Sequence, residues 1–205
     1  MRSFVLACAL IGVLAQLAAC QPGDGGLPGE STLDRIQRTG VVRVGYANEA
    51  PYAYMDSESS SLTGEAPEIL RRIMAELGVD EVEGVLTEFG ALIPGLKAKR
   101  FDIIAAGMYI TPERCEQIAF SNPSYTIGEA FVVMQGNPLD LHSFEDVREH
   151  ESATLGVMAG AVEHGYAKDL GIPEDRIVVF PDNVHRSDYR RRVGTRVRCI
   201  RFPAR

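Results

Sequence analysis

The chain has 205 residues, 45% of them hydrophobic and 24% charged, a composition that belongs to a globular protein and excludes a disordered or collagen-like one. A formal net charge of -7 excludes a nucleic-acid-binding role, because phosphate contacts need a clustered surplus of Lys and Arg. The charge is uneven: residues 185–205 hold eight arginines and one acid, Asp188, while the acidic surplus lies before them.

Arg2 precedes an apolar run from Phe4 to Ala19 broken inside only by Gln16; it is too short for a comfortable membrane span and reads as a secretion signal. The run ends in Leu17, Ala18, Ala19 and Cys20, which resembles the bacterial lipobox, where small residues fit the peptidase and the cysteine receives a diacylglycerol. Residues 1–19 are therefore expected to be a lipoprotein signal peptide, with Cys20 lipidated and 20–30, rich in Gly and Pro, a flexible tether. Acyl chains contributing about 0.8 kcal/mol per buried methylene would then anchor the protein to a membrane on its extracytoplasmic side, in the periplasm or on the outer face of the cell membrane. Cys115 and Cys199 have no metal-ligand spacing. Nor do His142, His150, His164 and His185, which read as solvated, so neither a metal nor a cofactor is expected.

From Ser31 onward helical and extended patterns alternate, the order of an α/β fold. A brief helix over 33–38 leads into a strand over 41–46. Pro67 can occupy the first turn of a helix in which Ile69, Leu70, Ile73, Met74 and Leu77 recur at core-facing spacing until Gly78 stops it; Glu68 and Arg72 are expected to form an exposed pair. A strand over 82–86 is followed by a helix over 91–98 with Leu92, Ile93 and Leu96 inward. Residues 102–106, apolar after Asp102, suit a parallel strand covered on both faces. A further strand is expected over 129–134, punctuated by Asn137 and Pro138. Ser143 and Asp146 form a capping box before a short helix. A strand over 154–157, a helix over 161–170 and a strand over 177–180 follow. The expected division is a first α/β lobe over 31–137, part of a second lobe over 138–184, and a solvated Arg-rich tail over 185–205 with no usable periodicity.

Two segments, 42–54 and 107–125, carry a family resemblance. The first contains Gly45, Tyr46, Pro51 and Tyr52, and Gly64 leads the helix that follows. The second contains Met108, Tyr109, Ile110, Thr111, Pro112, Glu113 and Arg114, then Phe120, Ser121, Asn122 and Pro123. Together they resemble the polar amino-acid-binding family of periplasmic solute-binding proteins, family 3. The resemblance implies a periplasmic-binding-protein-like two-lobe α/β fold, here with the second lobe incomplete. It also implies a monomer without enzymatic activity that delivers a small zwitterionic ligand to the permease subunits of an ABC importer. In that family the arginine at position 114 would grip the ligand carboxylate, since a carboxylate stripped of water needs a planar two-pronged donor.

Around Asn48, Glu49, Ala50, Pro51 and Tyr52, together with Phe89 and Tyr109, the wording is closer to the ectoine- and hydroxyectoine-binding members. Those compatible solutes join a carboxylate to a flat, delocalised amidinium ring, which aromatic faces hold well. The resemblance thus makes Tyr52, Phe89 and Tyr109 an aromatic box, Glu49 the acceptor for the amidinium N–H, and Thr111 a polar neighbour of the carboxylate. Each of the three aromatics follows the C-terminal end of an expected parallel strand, where open sheets bind ligands.

The resemblance covers 31–184 and then stops. Family members continue with a helix, a strand ending in an acid that closes on the ligand, and a return to the first lobe. The Arg-rich ending reads instead as the product of a shifted reading frame, and the chain is expected to bind its ligand weakly because one lobe lacks its later elements. Gly160 is followed by Ala161 where amino-acid binders place a hydroxyl residue, which fits a different solute. Two other readings stay open: a polar amino acid as the solute, and a secreted dehydratase on the same fold with Glu49 as general acid. The lipobox and the lack of a paired acid and base weigh against the enzyme.

Overall fold

The computed structural model describes residues 27–181 and the backbone of 196–201; the expected signal peptide, Cys20, His185 and the rest of the tail lie outside the described residues. Helix α1 (Thr32–Thr39) starts where Ser31 Oγ accepts from the Asp34 N–H, and it ends at Gly40 in the left-handed conformation, the usual terminator because glycine has no Cβ to clash. Strand β1 (Val41–Tyr46) follows at once and buries Val42, Val44 and Tyr46. A small antiparallel ribbon, β2 (Tyr54–Met55) with β3 (Leu62–Thr63), leads into α2 (Glu65–Glu76). Next come β4 (Glu81–Leu86), a 3-10 turn over Phe89–Ala91, α3 (Leu92–Lys97), and β5 (Ile103–Ile104). The first sheet has the order β4-β1-β5 and is parallel throughout, with Val41 beside Glu81 and Val44 beside Ile103.

Asp102 pins this sheet together. Its Oδ2 accepts from the Arg43 backbone N–H at 2.9 Å, its Oδ1 from Arg43 Nη2 at 2.8 Å, and Arg35 of α1 pairs with it at 2.5 Å. One carboxylate with only 4% of its side chain exposed therefore ties α1, β1 and the approach to β5. Burial pushes that carboxyl up, but the hydrogen bonds from Arg43 and Arg35 outweigh burial and hold it below the usual carboxylate range. Phe101, next door, fills a slot whose walls are glycines: a Cβ on Gly45 would meet its ring at 2.5 Å and one on Gly95 at 2.7 Å.

Beyond α4 (Pro112–Cys115) the chain crosses to a second sheet made of β6 (Glu129–Val132), β7 (Thr154–Met158), β8 (Ile177–Phe180) and β9 (Arg196–Arg201), in the order β6-β9-β7-β8. Helices α5 (Phe144–Glu149) and α6 (Val162–Asp169) accompany it. The capping box of α5 is complete: Ser143 Oγ accepts from the Asp146 N–H at 3.1 Å and the Asp146 carboxylate accepts from the Ser143 N–H at 2.8 Å. At its other end Arg176 donates to the carbonyls of Val147, Arg148 and His150 at 2.8 to 2.9 Å, serving the acceptors that a helix leaves open. Replacing Ser143 by alanine is expected to lower stability by about 1 kcal/mol, readable as a lower urea midpoint with an unchanged slope.

Four expectations need correction. In α2 only Pro67, Leu70 and Met74 are buried, while Ile69, Ile73 and Leu77 are 38 to 50% exposed: the helix meets the sheet along a one-residue-per-turn line rather than a broad face. Glu68 pairs with Arg71 and Thr63, and Arg72 turns to Glu76, because the i, i+3 partner also reaches the Leu62 carbonyl. Residues 129–132, expected in the first lobe, belong to the second sheet; the Asn137–Pro138 turn bends the chain within that unit, and the crossing comes before residue 129. Residues 196–201, expected as part of a solvated tail, form β9, antiparallel to β6 and parallel to β7. Their sequence alternates Arg, Val, Arg, Cys, a period-2 signal that the arginine count hides.

Candidate ligand-binding site

Three buried clusters organise the described residues. One lies against the first sheet and one against the second. The third joins them, drawing Ala47, Phe89, Leu92 and Ala106 from one side and Met158 and Ala161 from the other. This shared cluster sits beyond the C-terminal ends of β1, β4, β5 and β7, the end at which open parallel sheets bind ligands.

Glu49 stands in a tight turn after β1. Its N–H donates to the Ala53 carbonyl at 2.6 Å, and its own carbonyl accepts from Tyr52 and Ala53 at 2.8 and 3.0 Å. The Ala50-Pro51 peptide bond is cis. The turn carries both side chains inward: Glu49 is 8% and Tyr52 2% exposed. The Tyr52 ring lies on the backbone at Gly107, where a Cβ would stand 3.0 Å from it, and runs parallel to Tyr125 with centroids 6.5 Å apart.

Arg114 is the other anchor. Thr111 starts α4 by accepting from the Arg114 N–H at 3.3 Å, and Pro112 preorganises the first turn. The guanidinium is buried over the face of Phe89, 5.7 Å from the ring centre, a cation–π arrangement. Its Nη1 donates to the Tyr109 carbonyl at 2.7 Å and its Nη2 to the Gly160 carbonyl at 3.0 Å. Phe89 itself opens the 3-10 turn after β4 and is 2% exposed. The Tyr109 hydroxyl points to the Ile127 carbonyl at 3.4 Å.

The residues expected from the sequence thus fall into two groups. Arg114 is tied directly to Phe89, Tyr109 and Thr111; Glu49 and Tyr52 share one turn, and the segment from Gly107 to Thr111 links the groups. A groove of about 800 Å³ along the open side of β5 is lined by Tyr109, Thr111, Phe120 and Tyr125 among others, but Glu49, Tyr52, Phe89 and Arg114 lie outside its lining. Sequence reasoning missed two participants. Tyr125 follows the Asn122-Pro123 pair and carried no signal of its own, and Gly160 contributes a backbone carbonyl, which no side-chain pattern reveals. Among the described residues no helix is long and apolar enough to cross a membrane.

Two α/β sheets sharing a buried cluster beyond their strand ends define a periplasmic-binding-protein-like fold. The family model for bacterial extracellular solute-binding proteins, family 3, matches residues 42–189, and the chain belongs to that family. It is 38% identical over 159 residues to a probable amino-acid ABC transporter periplasmic-binding protein of Sinorhizobium fredii, a match covering 77% of this chain and 52% of the relative. It is 30% identical over 156 residues to the cyclohexadienyl dehydratase of Pseudomonas aeruginosa, covering 76% of this chain and 57% of that one. The crystal structure of EhuB in complex with hydroxyectoine superposes with a TM-score of 0.77 at 34% identity, over 83% of this chain and 66% of that one. The chain spans about half the length of the curated relatives it matches.

Proposed function

We propose that this chain is the ligand-receiving portion of an extracytoplasmic receptor that delivers ectoine or hydroxyectoine to an ABC importer, tethered to the membrane through Cys20. The observation that carries the reading is the Arg114 guanidinium, buried against Phe89 and within one turn of Tyr109 and Thr111, a carboxylate receptor built beside aromatic faces. Tyr52, Phe89 and Tyr109 would enclose the amidinium ring, Glu49 would accept from its N–H, and Thr111 would hold the arginine in place through its cap. The likeness to a hydroxyectoine complex supports the solute; the several relatives described as amino-acid or cystine binders support an amino acid as the second reading.

Thermal shift of the full chain with equal concentrations of hydroxyectoine, ectoine, arginine, glutamine and cystine decides between them, since a ligand stabilises the state that binds it. The two compatible solutes should raise the midpoint and the amino acids should not. A larger shift with any of the amino acids would replace the ectoine reading. Release of water from a cyclohexadienyl substrate would instead support an enzyme like the dehydratase relative.

A further inference from the structure

Gly160 has two properties that a cleft residue rarely combines. A Cβ placed on it would stand 2.5 Å from the Gly90 Cα and 3.1 Å from the Gly90 nitrogen, and its φ is +75. Gly90 lies in the turn after β4 and Gly160 in the turn after β7, so the two sheets' units touch backbone to backbone at this point. At the same place the Gly160 carbonyl accepts from Arg114 Nη2 at 3.0 Å. Such a hydrogen bond can form only if the second unit comes this close, and it comes this close because Gly160 carries no side chain; a Cβ on Gly90 would make only ordinary contacts, at 3.5 Å or more.

We infer that Gly160 is a positioning residue acting through Arg114: its missing side chain lets the second unit seat against Gly90, and its carbonyl then fixes the guanidinium between itself and the Tyr109 carbonyl. Closure of the cleft and orientation of Arg114 become one event. With Nη1 held from the first unit and Nη2 from the second, the guanidinium plane is set by both. The contact itself does not depend on which solute binds; its consequence for affinity rests on the carboxylate role proposed for Arg114.

The test is therefore made without solute. In the full chain the Arg114 Nη protons should give separate, slowly rotating NMR signals. Gly160→Ala should merge them into the fast-rotating pattern of an exposed arginine. Gly171→Ala is the control: Gly171 has φ +79 but nothing within 4 Å of its Cβ position, so it carries the same left-handed backbone strain without the clash. It should lower the thermal midpoint as Gly160→Ala does and leave the Arg114 signals untouched. Unchanged Arg114 signals in Gly160→Ala, or an equal change in Gly171→Ala, would overturn the inference.

A second measurement stands if Gly160→Ala fails to fold. It needs no substitution: in the unaltered chain an NMR cross-relaxation peak should join the Hα protons of Gly90 and Gly160, whose backbones meet in the structure. Absence of that peak would mean that the two units do not meet there. Thermal shift with ectoine on the unaltered chain is scored separately, so a failure of the solute reading leaves both outcomes interpretable.

Discussion

Changing Arg114 to alanine is expected to lower affinity for the preferred solute at least 100-fold, about 3 kcal/mol, in titration calorimetry against the unaltered chain. Arg114 is 8% exposed, and a carboxylate brought beside it has lost most of its water, so removing the donor leaves a desolvated anion with nothing in exchange. Arg114→Lys should recover little of the loss, because a single ammonium cannot keep the Tyr109 and Gly160 carbonyls and also present a planar fork to the ligand. Circular dichroism melts run on the same variants separate this from unfolding: Arg114→Ala also forfeits the contact with Phe89, worth about 1 kcal/mol. A loss of affinity below tenfold, with the fold intact, would refute the carboxylate role.

The second large effect concerns stability alone. Asp102→Asn removes the one anion shared by Arg35 and Arg43, and breaking a buried pair by deleting one partner typically costs about 3 to 5 kcal/mol because the other charges stay uncompensated. For a chain of this size about 3 kcal/mol corresponds to roughly 6 to 12 °C in the melting midpoint. The pH dependence follows from the same group. The Asp102 carboxyl is held lower in the folded protein than in the unfolded one, so its contribution is fully present above the ordinary aspartate range and is lost as pH falls through the depressed folded value. The unaltered chain should lose this increment below about pH 4, whereas Asp102→Asn should already lack it at neutral pH and show a shallower acid slope. Parallel acid slopes would assign the stability to packing instead.

How much of this could be read beforehand depended on whether the information sat in side-chain pattern or in backbone meeting. The capping box at Ser143 and Asp146 and the strand over 41–46 are local, and the structure has both where the pattern puts them. The apolar run after Asp102 was legible as a parallel strand, and the structure pairs it with β1, though over Ile103–Ile104 rather than the whole of 102–106. Asp102 itself looked like a strand opener; its partners lie 59 and 67 positions away, beyond the reach of any window. At the site, Arg114, Thr111 and Phe89 could be named because their residue types carry the chemistry. Tyr125 and Gly160 could not, one being an aromatic among many and the other acting through a carbonyl. The strand over 196–201 was hidden for the opposite reason, a strong charge signal masking a weak alternation.

Among the described residues, the strand of the second sheet made latest, β9, lies between two made earlier. Since β9 lies between β6 and β7, residues 129–132 pair with 196–201 among the described residues, whereas the described strands of the first sheet come from 41–104. During synthesis, which proceeds from the N-terminus, the described strands of the first sheet can pair while the ribosome is still translating the second. Strand β6 is then made some sixty codons before β9, its described partner. Such a strand is a natural target for chaperones and for stray partners, and the long separation between β6 and β9 makes their pairing slower to form than the more local pairing of β1 with β4.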